Sequence, residues 1–208
     1  PFCGRVEPTL KQVQDKYGDD VRIVWMNNPL PFHKNAKPAA NAALEAHAQK
    51  GNKAFWAMHE KMFANQKALT TENLEKWGKE IGLNSAKLKK ALADDKYSKT
   101  IQEQQALASK LGARGTPAFF INGRNLRGAQ PLTAFTAVID EELAKAKALV
   151  KKGTPRAKVY EETIKNGETG PKTAPAAAKP DANKVYDIAV PRKAPRKGAA
   201  KAKVAIQE

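Results

Sequence analysis

Cys3 is the only cysteine among the 208 residues, and it stands in Pro1-Phe2-Cys3-Gly4 at the head of an amphipathic stretch. The free N–H groups of a helix's first turn, with the helix macrodipole, stabilise a thiolate, so this placement suits sulfur chemistry. On the residues alone, a small buried thiol remains the alternative. A second element of interest is Gly115-Thr116-Pro117, which leads into Ala118-Phe119-Phe120-Ile121. One cysteine excludes an internal disulfide framework and a cysteine-based zinc cluster. His33, His47 and His59 lack metal-ligand spacing, because 47 and 59 fall on different predicted helices. The sequence therefore supports no metal and no cofactor, and the histidines read as surface or packing residues. Trp25, Trp56 and Trp77 read as core. Arg114 and Arg127 can supply positive charge near the thiol, with plain solvation as the alternative. No phosphate-cradling glycine loop, Ser-His-Asp set or pair of catalytic carboxylates can be argued.

The elements that must position these residues follow from periodicity. Val6, Leu10, Val13 and Tyr17 share one helical face, with Gly18 as a stop signal. Pro8 lies within that run and is expected to kink it or to sit near its first turn. Val21 to Met26 is short, apolar and β-branched, which predicts a buried strand. Pro29 and Pro31 force an extended exit. From about Asn35 to Leu111 the pattern is helical, with breaks at Gly51-Asn52, Ala68-Leu69-Thr70 and Gly82-Leu83-Asn84 that predict four or five helices. Asn122-Gly123 between two short strand-like runs predicts a hairpin. Leu132, Phe135, Val138, Ile139, Leu143 and Ala146 then line a last helix. The order is helix, strand, helical block, hairpin, helix: a mixed α/β chain that opens without a leading strand.

Charge and composition divide the chain. There are 37 Lys or Arg against 21 Asp or Glu, a net charge of +16. Lys151 to Glu208 holds 14 basic and six acidic residues, so half of that charge sits on little more than a quarter of the chain. Gly167 to Ala182 has almost nothing to bury and reads as linker, because unburied chain cannot offset its ordering entropy. A basic Ala/Pro/Lys-rich linker is assigned to 151–201. No run approaches the roughly 20 apolar residues of a membrane-spanning helix. The tail's cations suit phosphates or other anionic polymers. With only Tyr160 and Tyr186 as aromatics and no reading module, specific nucleic-acid recognition is not expected.

Taken together, Pro1-Phe2-Cys3, Asp20 to Phe32, the helical stretch from Lys34 to about Leu111 and Thr116-Pro117-Ala118-Phe119-Phe120-Ile121-Asn122-Gly123 resemble the DsbA-like branch of the thioredoxin superfamily. The resemblance covers roughly residues 1–150. It implies a thioredoxin-like α/β core at 1–33 and 113–150 with an inserted helical domain at 34–112. It also implies a cis bond at Thr116-Pro117 and thiol–disulfide exchange on cysteine-containing polypeptides, in some settings with a redox partner protein. Pro1, Phe2 and Cys3 match the last three positions of a Cys-Pro-x-Cys motif. Cys3 then takes the role of resolving cysteine, and Thr116 and Pro117 that of substrate-strand holders. Under the same resemblance His33 can approach the redox face. The family's nucleophilic cysteine would stand directly before Pro1 and is not in the chain. The family setting is the periplasm or cell envelope.

The far end extends this reading. Lys203-Val204-Ala205-Ile206-Gln207-Glu208 resembles the strand that leads into the motif, and Val185 to Pro191 its approach segment. The chain thus reads as one period of a tandem array, with 202–208 the opening strand of a following or permuted domain. In the permuted case this strand enters the slot between the Val21–Met26 strand and the Thr116-Pro117 strand, with Val204 and Ile206 on one face and Ala205 on the other; the alternative is a disordered end. The alternative function is a redox-inert thioredoxin-fold scaffold with an anion-binding tail.

Overall fold

The computed structural model describes residues 2–167, 184–191 and 194–207. The chain forms two compact units, one from Asn27–Leu107 and the other from Phe2–Met26 with Ala108–Glu208.

The second unit is built on a five-stranded sheet of order β3-β2-β5-β1-β4. Its strands are β1 (Val21–Val24), β2 (Ala118–Ile121), β3 (Arg124–Arg127), β4 (Arg196–Gly198) and β5 (Val204–Gln207). β5 lies in the middle, parallel to β1 with Val21 opposite Val204 and Val24 opposite Gln207. On its other side it is antiparallel to β2, with Phe120 opposite Gln207 and Ile121 opposite Ile206. The strand from the chain's far end therefore fills the slot between β1 and β2 within the same chain. All four of its residues are buried, as expected for a strand covered on both faces. β4 pairs antiparallel with the outer edge of β1. The hairpin β2–β3 turns on Asn122 and Gly123 at φ 47° and 85°, the left-handed pair that two-residue hairpins require.

Helix α1 (Phe2–Tyr17) buries Val6, Leu10 and Val13, the face its spacing predicted. Pro8 is carried inside it, with its ring exposed. Helix α6 (Leu132–Lys151) buries Phe135, Ile139, Leu143 and Ala146, and Phe135 meets Phe119 of β2 edge-on at 5.0 Å. The described residues of the 151–201 stretch, assigned to linker in the sequence, include packed elements. Val159–Ile164 forms helix α7, which buries Val159, Tyr160 and Ile164; Tyr160 and Ile164 cluster with Ala205 and Val190. Tyr186 packs on Phe120 at 5.8 Å. These apolar side chains are too sparse to show a period, yet Tyr160 and Ile164 cover the inserted strand and Tyr186 covers β2. Most of the Gly167 to Ala182 stretch lies outside the described residues.

The first unit holds α2 (Ala36–Ala64), α3 (Thr71–Glu80), α4 (Ser85–Ala93) and most of α5 (Ser98–Lys110). α2 departs from helical geometry at Lys50 and Gly51, beside the predicted break, and Thr70 and Asn84 cap α3 and α4 through their side chains. Gly78 lets α3 and α4 close together, since a Cβ there would lie 2.2 Å from Leu88. The unit begins at Asn27 rather than after the prolines because Gln104 Oε1 accepts from both the backbone and side-chain nitrogens of Asn27, at 2.7 and 2.8 Å. Glu45 is buried on α2 and accepts from Lys96 at 2.7 Å, Tyr97 at 2.7 Å and Gln49 at 2.8 Å. Burial alone would raise its pKa, but these hydrogen bonds and the Lys96 charge outweigh it and hold the carboxyl below its ordinary value.

Two outcomes follow from this packing. Ile206→Ala should cost about 2–5 kcal/mol in urea unfolding, the range of a buried large-to-small change; a loss below about 0.5 kcal/mol, as at exposed sites, would mean that the strand is not in the core. Glu45, depressed in the folded state, contributes stability above the unfolded carboxyl pKa of about 4.3 that is lost as pH falls through its folded value. Glu45→Gln should therefore destabilise at pH 7 more than at pH 3, read from urea midpoints at both values.

Candidate redox site at one end of the sheet

The register of β5 defines one end of the sheet. α1 packs on β1 and is joined to its start by the turn Gly18–Asp20. A 16-residue helix is about 24 Å long, so its first turn lies back at the end where β1 and β5 finish. Phe2 and Cys3 are in that turn. β2 runs the other way, with Phe120 opposite Gln207, so Ala118 and the preceding Pro117 extend past the last paired residue of β5 at this same end. The first turn of α1, the end of β5 and the Thr116-Pro117 segment thus lie toward the same end of the sheet. The Thr116–Pro117 peptide is cis, and the Pro117 carbonyl accepts from Gly128 N–H at 3.0 Å.

Cys3 is half-buried, and no acidic residue stands in the first turn beside it. Phe2 is 58% exposed, with the Arg5 guanidinium 5.1 Å from its ring centre. Pro1 lies outside the described residues. Arg127 is opposite Ala118 on β3, next to the Thr116-Pro117 segment. His33 belongs to the helical unit, where its ring meets Phe32 at 4.6 Å. His59 is buried among Phe55, Trp56 and Phe63, a packing role. His47 approaches the Asn52 side chain at 3.1 Å. Trp77 is buried, while Trp25 and Trp56 are only partly covered. Among the described residues no cluster of His, Cys, Asp and Glu is arranged to hold a metal ion.

Two residues that position the site were not singled out for it in the sequence. Asn122 reads there only as a turn residue, yet its Oδ1 accepts from Ala205 N–H at 2.8 Å and its own N–H donates to the Ala205 carbonyl at 2.8 Å. It clamps β5 where the ladder with β2 ends. Tyr160 donates to the Ile188 carbonyl at 2.5 Å and accepts from the Gln207 amide. Burial pushes the Tyr160 pKa up, so the hydroxyl stays a donor. Asparagine in Asn-Gly was the one available signal, and it pointed to the turn alone.

A central strand β5 parallel to β1, a cysteine-bearing helix that leads into β1, a proline-led strand on the other side of β5 and helices inserted between β1 and β2 define a thioredoxin-like fold. The chain belongs to the family described as DSBA-like thioredoxin domain, which matches residues 1–140. It is also similar to longer proteins. Over 148 residues it is 34% identical to the Na(+)/H(+) antiporter NhaA 3 of Salinispora tropica, a match covering 71% of this chain and 22% of that protein. Over 139 residues it is 32% identical to the Na(+)/H(+) antiporter NhaA of Herminiimonas arsenicoxydans, covering 67% of this chain and 22% of that protein. The chain thus spans about a fifth of the length of these curated relatives. None of the helices among the described residues is long and apolar enough to cross a membrane.

The clamp can be tested directly. Asn122→Ala leaves the buried Ala205 N–H without its acceptor, a cost of about 1–3 kcal/mol, and keeps a non-glycine residue in the left-handed region. A urea midpoint unchanged from the parent chain would show that Asn122 does not hold β5.

Proposed function

We propose that this domain is a thiol–disulfide oxidoreductase of the DsbA type, acting on cysteines of polypeptide substrates in the periplasm or cell envelope. The observation that supports the reading most is the placement of the first turn of α1, with Cys3, toward the same end of the sheet as the cis Thr116–Pro117 segment. A helix N-terminus favours the thiolate over the thiol. The backbone beside Pro117 offers an extended substrate segment a strand-like surface, with Thr116 and Pro117 as the holding residues.

In this reading Cys3 is the resolving cysteine, and Pro1 and Phe2 are the two residues between the paired cysteines of the motif. A nucleophilic thiolate directly ahead of Pro1 attacks a substrate disulfide, forming a mixed disulfide and releasing one substrate thiolate. The Cys3 thiolate then attacks that mixed disulfide, forming the domain's own disulfide and releasing the second. In this direction two electrons pass to the substrate and an external dithiol restores the domain; the reverse sequence, from a substrate dithiol and the domain's disulfide, passes two electrons to the domain. Cys3 is the one cysteine of the 208 residues, so the 208-residue chain alone can proceed only as far as a mixed disulfide at Cys3.

Insulin reduction by dithiothreitol should be accelerated by a chain extended with one cysteine before Pro1 and not by the 208-residue chain. In the extended chain, Cys3→Ser should stop turnover and trap the mixed disulfide, visible by mass spectrometry. Activity in neither chain would overturn the reading and leave a redox-inert scaffold.

A further inference from the structure

The helical unit carries a cavity unrelated to the thiol. It has a volume of about 710 Å³ and lies between α2, the α3–α4 turn and α4, within the ~300–1,000 Å³ span of ligand sites. Its apolar lining is confined to Ala48, Leu83 and Ala91, while Lys50, Lys87, Lys90 and Lys96 supply four ammonium groups. The two carboxylates on its wall are already committed: Glu45 to Lys96 at 2.7 Å and Asp94 to Lys90 at 2.6 Å. Lys50 and Lys87 have no carboxylate partner among the described residues.

The walls are tied together. Gln49 Oε1 accepts from Asn84 N–H at 2.7 Å, which joins α2 to the start of α4. The helical path of α2 breaks at Lys50 and Gly51, and Lys50 reaches across to Gly82, whose added Cβ would lie 2.9 Å from its Nζ. Asn84 caps only the Lys87 N–H, so the other first-turn amides of α4 add their partial positive charge on the same side. The cavity is rimmed by ammonium groups, its carboxylates are already paired, and it is partly open rather than enclosed. The unpaired lysines at its rim favour an anionic chain over an apolar small molecule.

From this we infer that the cavity holds an acidic segment of a polypeptide, with Asp or Glu side chains taken by Lys50 and Lys87. The inference rests on the polypeptide substrate class proposed above and gives the helical unit a part in choosing substrates by charge. Such contacts are exposed and screened by salt, so they steer and select more than they tighten.

The test is fluorescence anisotropy of the full chain with a dye-labelled, cysteine-free oligoglutamate at low ionic strength. Having no cysteine, the probe reports on the cavity whatever the outcome of the insulin assay. Saturable binding is expected, weakened about tenfold, the factor equal to ~1.4 kcal/mol, in the double variant Lys50→Glu, Lys87→Glu. A charge-matched pair on other surfaces, Lys67→Glu with Lys147→Glu, should change it less than about twofold if net charge is not the cause. Lys50→Arg, Lys87→Arg should restore binding, and circular dichroism checks that each variant folds. Equal losses in both double variants, or no saturable binding by the parent chain, overturns the inference. Displacement of the probe by inorganic phosphate, beyond the effect of sodium chloride at the same ionic strength, also overturns it in favour of a site for small anions.

Discussion

The pairing of β5 between β1 and β2 is the constraint on which the sheet unit depends. Without it, β1 and β2 would face one another across an empty strand position, each with a row of backbone groups lacking partners in the interior. With it, two strands separated by the whole helical block in sequence become neighbours of one central strand. The candidate redox site inherits its geometry from that strand, because its register fixes where β1 ends, where α1 begins and how far the Pro117 segment overhangs.

Several polar contacts serve this one strand. Asn122 clamps Ala205 from the hairpin side, and Tyr160 holds both Ile188 and Gln207 from α7. At the other end, Lys203 pairs with Asp20 and donates its backbone N–H to the Asp20 carbonyl at 3.0 Å. Hydrophobic burial of Val204, Ala205 and Ile206 supplies the drive, but it does not by itself choose a register. A shift by one residue would turn Gln207 onto the face now occupied by Ile206. The directional contacts at both ends select the observed pairing, and with it the position of the site.

Much of this was legible in the sequence, for identifiable reasons. Val6, Leu10 and Val13 announced α1 because an amphipathic face repeats, and Asn122-Gly123 announced the hairpin because few residue pairs accept its left-handed turn. The β-branched run from Val21 announced a buried strand, and Val204-Ala205-Ile206 offered a match for the missing one. The part played by α7 was hidden, because a single turn anchored by Tyr160 and Ile164 has too few residues to set a period. The start of the helical unit was hidden too, since it rests on Gln104 reaching 77 positions back to Asn27. The placement of Cys3 and Thr116–Pro117 toward the same end of the sheet depends on strand order, which no local pattern encodes; family resemblance supplied it.

The chain's far end forms the middle strand of its own sheet. Native-state amide hydrogen exchange across residues 203–207 tests this placement most directly, since a strand bonded on both sides opens only with its unit while an unpaired tail does not wait for unfolding. Protection of these amides should equal that of Val21–Val24 and Ala118–Ile121. Exchange at the rate of an unstructured peptide, with β1 and β2 still protected, would contradict it.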